Sequence, residues 1–124
     1  ALIDQIIEGA QDINYLVTLS GRDKNAERKK TARDILATKH LPKWFRFLDD
    51  LLKQNTDSVY FVESDLTIAD LAIWRLLGWL KSGILDGVPT TILDNYENLN
   101  KLRQEIYKNP KVIEWMDRVY GKTI

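Results

Sequence analysis

Apolar residues recur at helical spacing along most of the chain. Leu2, Ile3, Ile6, Ile7, Ala10, Ile13, Leu16 and Val17 form one stripe, with Asp4, Glu8, Gln11 and Asp12 mostly off it. That periodicity predicts an amphipathic helix from Leu2 to Leu19. Gly21 follows and suits a left-handed stop. The segment Arg22 to Arg33 is dense in charge, as expected of the solvated start of a second helix, with Asn25 as its N-cap. Apolar positions resume at Ala32, Ile35 and Leu36 and continue through Leu41, Trp44, Phe45, Leu48, Leu51 and Leu52. Pro42 falls inside this pattern. It removes a backbone donor, so the second helix is expected to kink near Thr38 to Leu41, or to divide into two.

Asn55-Thr56-Asp57-Ser58 is a turn cluster. Val59-Tyr60-Phe61-Val62 has the composition of a strand but no second strand to pair with, so it is expected as an extended connector on the core. Thr67-Ile68-Ala69-Asp70 then has the spacing of a capping box, with Thr67 as N-cap and Asp70 reaching back. Leu66 and Leu71 flank it as a hydrophobic staple. Leu71, Ala72, Ile73, Trp74, Leu76, Leu77, Trp79 and Leu80 make the following helix apolar almost all round. Such a helix belongs at the centre of a core. Arg75 is the one charge in that wall and needs a partner; a structural salt bridge is the first choice and a substrate contact the second. Gly83 ends this helix.

Gly87-Val88-Pro89 is loop. Asp94 or Asn95 is the expected cap of a further helix bearing Leu99, Leu102 and Ile106. Asn109-Pro110 opens a last one bearing Val112, Ile113, Met116 and Val119, with Gly121 at its end. With no internal repeat and no linker, residues 1–124 form one all-α domain, a bundle of five to six helices with a Pro-kinked second helix and a buried central one.

Composition narrows the function. Lysine plus arginine equals aspartate plus glutamate at 18 each, which gives no field for nucleic acid or an anionic membrane. The absence of cysteine excludes a disulfide framework, a thiolate zinc site and a cysteine nucleophile, and fits the cytoplasm. No apolar run approaches the roughly 20 residues of a membrane span. No metal site is expected. The chain opens at Ala1, inside an amphipathic pattern, and is taken as a fragment of a longer protein.

Three segments resemble a known family. "FVESDLTIADLAIW" is similar to the capping-box and staple segment of the C-terminal domain of cytosolic glutathione transferases. "LDNYENLNKLRQEIYKNPKVIEWM" resembles that domain's final two helices with the Asn-Pro break between them. "LIDQIIEGAQDINYL" resembles the first helix of the sigma-class domain. All three occur in order and at compatible spacing, and the chain resembles that domain along its whole length. The resemblance implies a detoxifying transferase that conjugates or isomerises small apolar electrophiles, with glutathione as co-substrate. Its partners would be an N-terminal thioredoxin-like domain of the same protein and a second copy in a homodimer. That absent domain would supply the hydroxyl that stabilises the thiolate. The tyrosines here, at 15, 60, 96, 107 and 120, lie within helical-domain elements, so no catalytic residue is assigned and the domain alone is expected to be inactive.

The resemblance also implies site residues. Asp12, with Gln11 beside it, matches an acidic position that reaches across the dimer interface to the glutathione ammonium; a carboxylate suits that charge. The plain alternative is a solvated helix carboxylate. Asn14, Leu19, Ala72, Leu76 and Ile124 match the wall of the electrophile pocket, with core packing the alternative for Ala72 and Leu76. Thr67 and Asp70 are structural caps. His40 stands beside the proline without a catalytic partner. Arg22, Lys24, Arg28, Lys29 and Lys30 are interleaved with acids and form a solvated face or a polar dimer contact. A different function class stays open: a non-catalytic interaction module of an elongation factor or tRNA synthetase complex, or a lens-protein-like relative.

Overall fold

The longest run of helical periodicity becomes the longest helix. A computed structural model describes residues 2–120, apart from the side chain of Tyr120. Six α-helices follow one another: α1 (Leu2–Arg22), α2 (Ala26–Ile35), α3 (Leu41–Gln54), α4 (Ile68–Leu80), α5 (Glu97–Lys108) and α6 (Pro110–Tyr120). A π-helical turn, Leu36–His40, joins α2 to α3. No strand occurs among the described residues. The fold is all-α, as the periodicity implies.

The core is one cluster. α1 contributes Ile6, Ala10, Ile13 and Val17 and packs along α4, which contributes Ala69, Ile73, Leu77 and Leu80. α3 packs on α5, burying Phe45 and Leu48 on one side and Leu99, Leu102 and Ile106 on the other. Ile73, Leu77 and Leu80 are fully inaccessible. Together they contribute roughly 5–9 kcal/mol of burial. A helix cap contributes about 1 kcal/mol. Packing therefore decides that α4 is central, and its cap decides where it begins.

The charged second helix starts where expected, with Asn25 Oδ1 accepting from the Arg28 amide at 3.0 Å. The irregularity expected near Pro42 takes the form of the π turn. The Leu41 amide donates to the Leu36 carbonyl, five residues back. This wider turn shifts the register just before a residue that has no N–H and whose ring crowds the carbonyl four residues earlier. The connector 59–62 is bent rather than a strand, and Phe61 from it is buried in the core. Asn55 holds it by donating from Nδ2 to the carbonyls of Tyr60 and Glu63, both at 2.8 Å.

Two expectations are corrected. α1 does not stop at Leu19 or turn left-handed at Gly21; it continues to Arg22. Gly21 is small for another reason: a Cβ there would stand 3.0 Å from an Arg33 guanidinium nitrogen. Neither Asp94 nor Asn95 caps α5. Tyr96 holds the N-cap position without a side-chain bond. The carboxylate of Asp49, on α3, does the capping across the core, accepting from the Leu99 amide at 3.0 Å and from Asn98 Nδ2 at 3.3 Å. Sequence patterns reveal caps that lie beside the helix they serve, and this one is 50 residues away.

Because this cap joins two helices, its loss weakens both α5 and the α3–α5 contact. Asp49→Ala should lower stability by about 1–2 kcal/mol. Urea unfolding monitored by far-UV circular dichroism checks this; an unchanged midpoint would remove Asp49 from the cap.

Candidate functional site

The start of α4 is the most tightly specified polar region. The Asp70 side chain is fully inaccessible. Its Oδ1 accepts from the Phe61 amide at 2.9 Å; its Oδ2 accepts from the Thr67 amide at 2.8 Å and the Thr67 hydroxyl at 3.2 Å. One carboxylate thus fixes the connector, the cap residue and the first turn of α4. Burial pushes its pKa above the ordinary value, against the opposing pull of the bonds from Phe61 and Thr67. With these three donors around it, the carboxylate acts as an anchor for the start of α4.

The outer face of α1 is exposed. Gln11, Asp12 and Asn14 all point to solvent. Asp12 stands one turn after Glu8 and two turns after Asp4, and all three are exposed. At four-residue spacing they form an acidic row along one edge of the helix. Such a row gives that edge of the helix a negative potential.

The residues matched to an electrophile pocket do not meet in one cavity. Asn14 is exposed on α1, one position past the buried Ile13 and so turned away from α4. Leu19 lines a shallow depression of about 250 Å³ with Leu16, Ala32, Ile35, Leu36 and His40. Leu76 is half-buried on α4 and packs against the core. Ala72 alone lies in a larger groove, and Ile124 lies outside the described residues. The reason is geometric: the α1–α4 contact is filled by core side chains.

The larger groove, of about 640 Å³, runs between α4, α5 and α6. Leu71, Trp74, Tyr107, Val112, Trp115 and Met116 form its apolar walls. Trp74 and Tyr107 meet edge to face, with ring centroids 5.4 Å apart. Arg75, Arg103 and Lys111 edge it, and no carboxylate lines it. Arg75 is exposed and makes no salt bridge among the described residues, contrary to the structural ion pair expected for it. The groove was a missed feature. Its signals were an α4 apolar on both faces and a tryptophan one position out of phase with Met116.

The ion pairs among the described residues lie on the surface. Arg28 and Asp23 pair at 2.9 Å on the surface, a solvated contact that depresses the Asp23 pKa through the hydrogen bond from Arg28. His40 is exposed. Among the described residues no three His, Asp or Glu side chains converge as a metal site. No described helix is long and apolar enough to cross a membrane.

With this geometry in hand, comparison with known proteins is decisive. The family model for "Glutathione S-transferase, C-terminal domain" matches residues 11–118. The chain belongs to that family. It is 33% identical over 79 residues to a glutathione S-transferase of Plasmodium yoelii yoelii, covering 64% of this chain and 34% of the relative. It is 36% identical over 78 residues to one of Plasmodium falciparum (isolate 3D7), covering 59% of this chain and again 34% of the relative. The matched part of this glutathione S-transferase C-terminal domain thus spans about a third of each relative's length.

The Asp70 anchor yields a prediction. Asp70→Asn should destabilise by about 2–4 kcal/mol, because it replaces an acceptor facing two Thr67 donors with a third donor. The sign of its pH effect follows from its raised pKa. Between the ordinary carboxylate value of about 3.9 and the folded value, the native state holds the proton more tightly. Stability from this group therefore falls as pH rises through that window and is level above it. A carboxyl-carbon NMR titration checks this; a midpoint below about 3.9 would reverse the assignment.

Proposed function

We propose that the chain is the C-terminal half of a glutathione transferase. In the complete protein it would shape the electrophile side and part of a dimer interface, while an N-terminal thioredoxin-like domain holds most of the glutathione. The supporting observation is the family match over residues 11–118 combined with an exposed acidic edge on α1. The complete protein would conjugate or isomerise small apolar electrophiles in the cytoplasm, most like the sigma class in its first helix.

In this reading Asp12, assisted by Gln11, accepts from the glutathione ammonium of the partner subunit. Glu8 and Asp4 add to the local negative potential. Both Asp12 and Gln11 are exposed and so available to a second protomer. Asn14, Leu19, Ala72, Leu76 and Ile124 would serve the electrophile only as walls completed by the rest of the protein, since the described ones share no cavity. Thr67 and Asp70 serve the fold. The interaction-module alternative predicts the same helices without any use for an acidic α1 edge.

Retention of the full-length protein on glutathione-agarose tests the reading, and failure to be retained sinks it. Asp12→Asn should weaken glutathione binding about twofold to fivefold, as befits an exposed charge pair. The circular dichroism spectrum should not change. Undiminished affinity would remove Asp12 from the site.

A further inference from the structure

Summed over the chain the charges cancel, but they are unevenly placed. From Arg22 to Lys43 there are eight lysines and arginines against three acids, Asp23, Glu27 and Asp34. All other positions together carry ten against fifteen. The neutrality that argues against an anionic partner therefore holds for the total and not for this stretch. Six of its eight cations are exposed: Arg22, Lys24, Arg28, Lys30, Lys39 and Lys43. The ion pairs among the described residues engage one of the eight, Arg28, with Asp23. Arg28, Lys29 and Lys30 are consecutive, and like charges crowded on a short helix repel unless an opposite charge lies against them.

α2 has little duty in the core, since Arg33 is its only buried residue. Its outward composition is thus left free by the packing. Among the cations sits an aliphatic feature. Ile35 is 40% exposed and Leu19 is 42% exposed, and both line the depression of about 250 Å³ that Leu16 and Leu36 also line.

We infer that this end of the bundle, made of the last turns of α1, α2 and the π turn, binds the surface of a bilayer that contains anionic phospholipids. The positive patch selects a partner of negative charge. Each exposed lysine or arginine is drawn to the headgroup layer, and a cluster of this size supports reversible attachment. Ile35 reaches the boundary of headgroups and acyl chains from the middle of the cluster. No aromatic residue occurs between Arg22 and Lys43. That selects lipid over single-stranded nucleic acid, whose bases bind by stacking on rings. The attachment is peripheral and needs no membrane-spanning helix. It goes beyond the transferase reading and does not depend on it.

Vesicle sedimentation of the full-length protein at low ionic strength is the test. Vesicles of equal parts phosphatidylcholine and phosphatidylserine should carry the protein down, and vesicles of phosphatidylcholine alone should not. About 0.5 M sodium chloride should release it, because salt screens exposed charges. Lys30→Gln combined with Lys39→Gln should weaken binding on the order of thirtyfold. Ile35→Gln should weaken it about fivefold. Lys101→Gln combined with Lys108→Gln removes the same charge from α5, where each lysine is paired with a glutamate, and should change binding by less than about twofold. Circular dichroism checks that each variant keeps its helices. Sedimentation with neither vesicle, or equally with both, overturns the inference. So does an equal loss in the two lysine pairs, which would show net charge alone at work. Tighter binding to polyuridylic acid than to the mixed vesicles, weakened by the Lys30 and Lys39 substitutions, would assign the patch to nucleic acid and likewise overturn it.

Discussion

The Asp70 carboxylate is the constraint on which the arrangement depends. It is inaccessible, and it accepts from the Phe61 amide, the Thr67 amide and the Thr67 hydroxyl. All three donors precede α4 in the chain and would otherwise be buried or half-buried without partners. Satisfying them sets where α4 begins and therefore which of its residues face inward. A shift of one residue would rotate the helix by about 100° and bring Arg75 toward the core in place of a neighbour. The desolvation that raises the pKa is the cost of placing the carboxylate there, and the bonds work against it.

A second buried polar contact fixes the C-terminal end of α1. Arg33 is 8% exposed, donates from Nε to Ser20 Oγ at 2.7 Å and from a terminal nitrogen to the Asp86 carbonyl at 3.0 Å. Ser20 Oγ in turn donates to the Val17 carbonyl at 2.6 Å. The guanidinium thus joins α1, α2 and the loop after α4 through neutral acceptors. Gly87 makes room for it: its φ is +84°, and a Cβ there would approach Arg33 Cβ to 2.9 Å. A buried charge held this way is a poor source of stability but a strong selector of one arrangement, because any other leaves it unsatisfied. Through Ser20 and the Asp86 carbonyl, Arg33 ties the C-terminal end of α1 to the loop after α4.

Much of this was legible in the sequence, and what was not shares one cause. The periodicity of α1, the Asn25 cap, the Thr67–Asp70 spacing and the Asn109-Pro110 start are all local signals, expressed within about one helical turn. The structure departs where a distant residue decides. Gly21 looks like a helix stop until Arg33 is placed against it. Asp94 and Asn95 look like caps until Asp49 is seen to occupy the role from α3. Arg33 itself is lost in a run of surface charges, and only its pairing with Ser20 and Asp86 distinguishes it. The pocket residues scattered for the same reason. Asn14 and Leu19 share a helix but not a face, and Ala72 and Leu76, four residues apart, fall on different sides of the boundary between groove and core.

The two faces of α4 separate stability from recognition. Ala69, Ile73, Leu77 and Leu80 are closed off completely, so their size and shape are dictated by α1 and α5. Leu71 and Trp74, interleaved with them at helical spacing, touch the core only in part, and Ala72 is half-buried beside them. Changes on that second face meet little resistance from the fold, yet they alter the wall presented to whatever packs there. The acidic edge of α1 is related to its core face in the same way. A domain built on one anchored helix can thus keep its packing while its outer surfaces vary, since each outward residue is positioned by an inward neighbour one or two places along the chain.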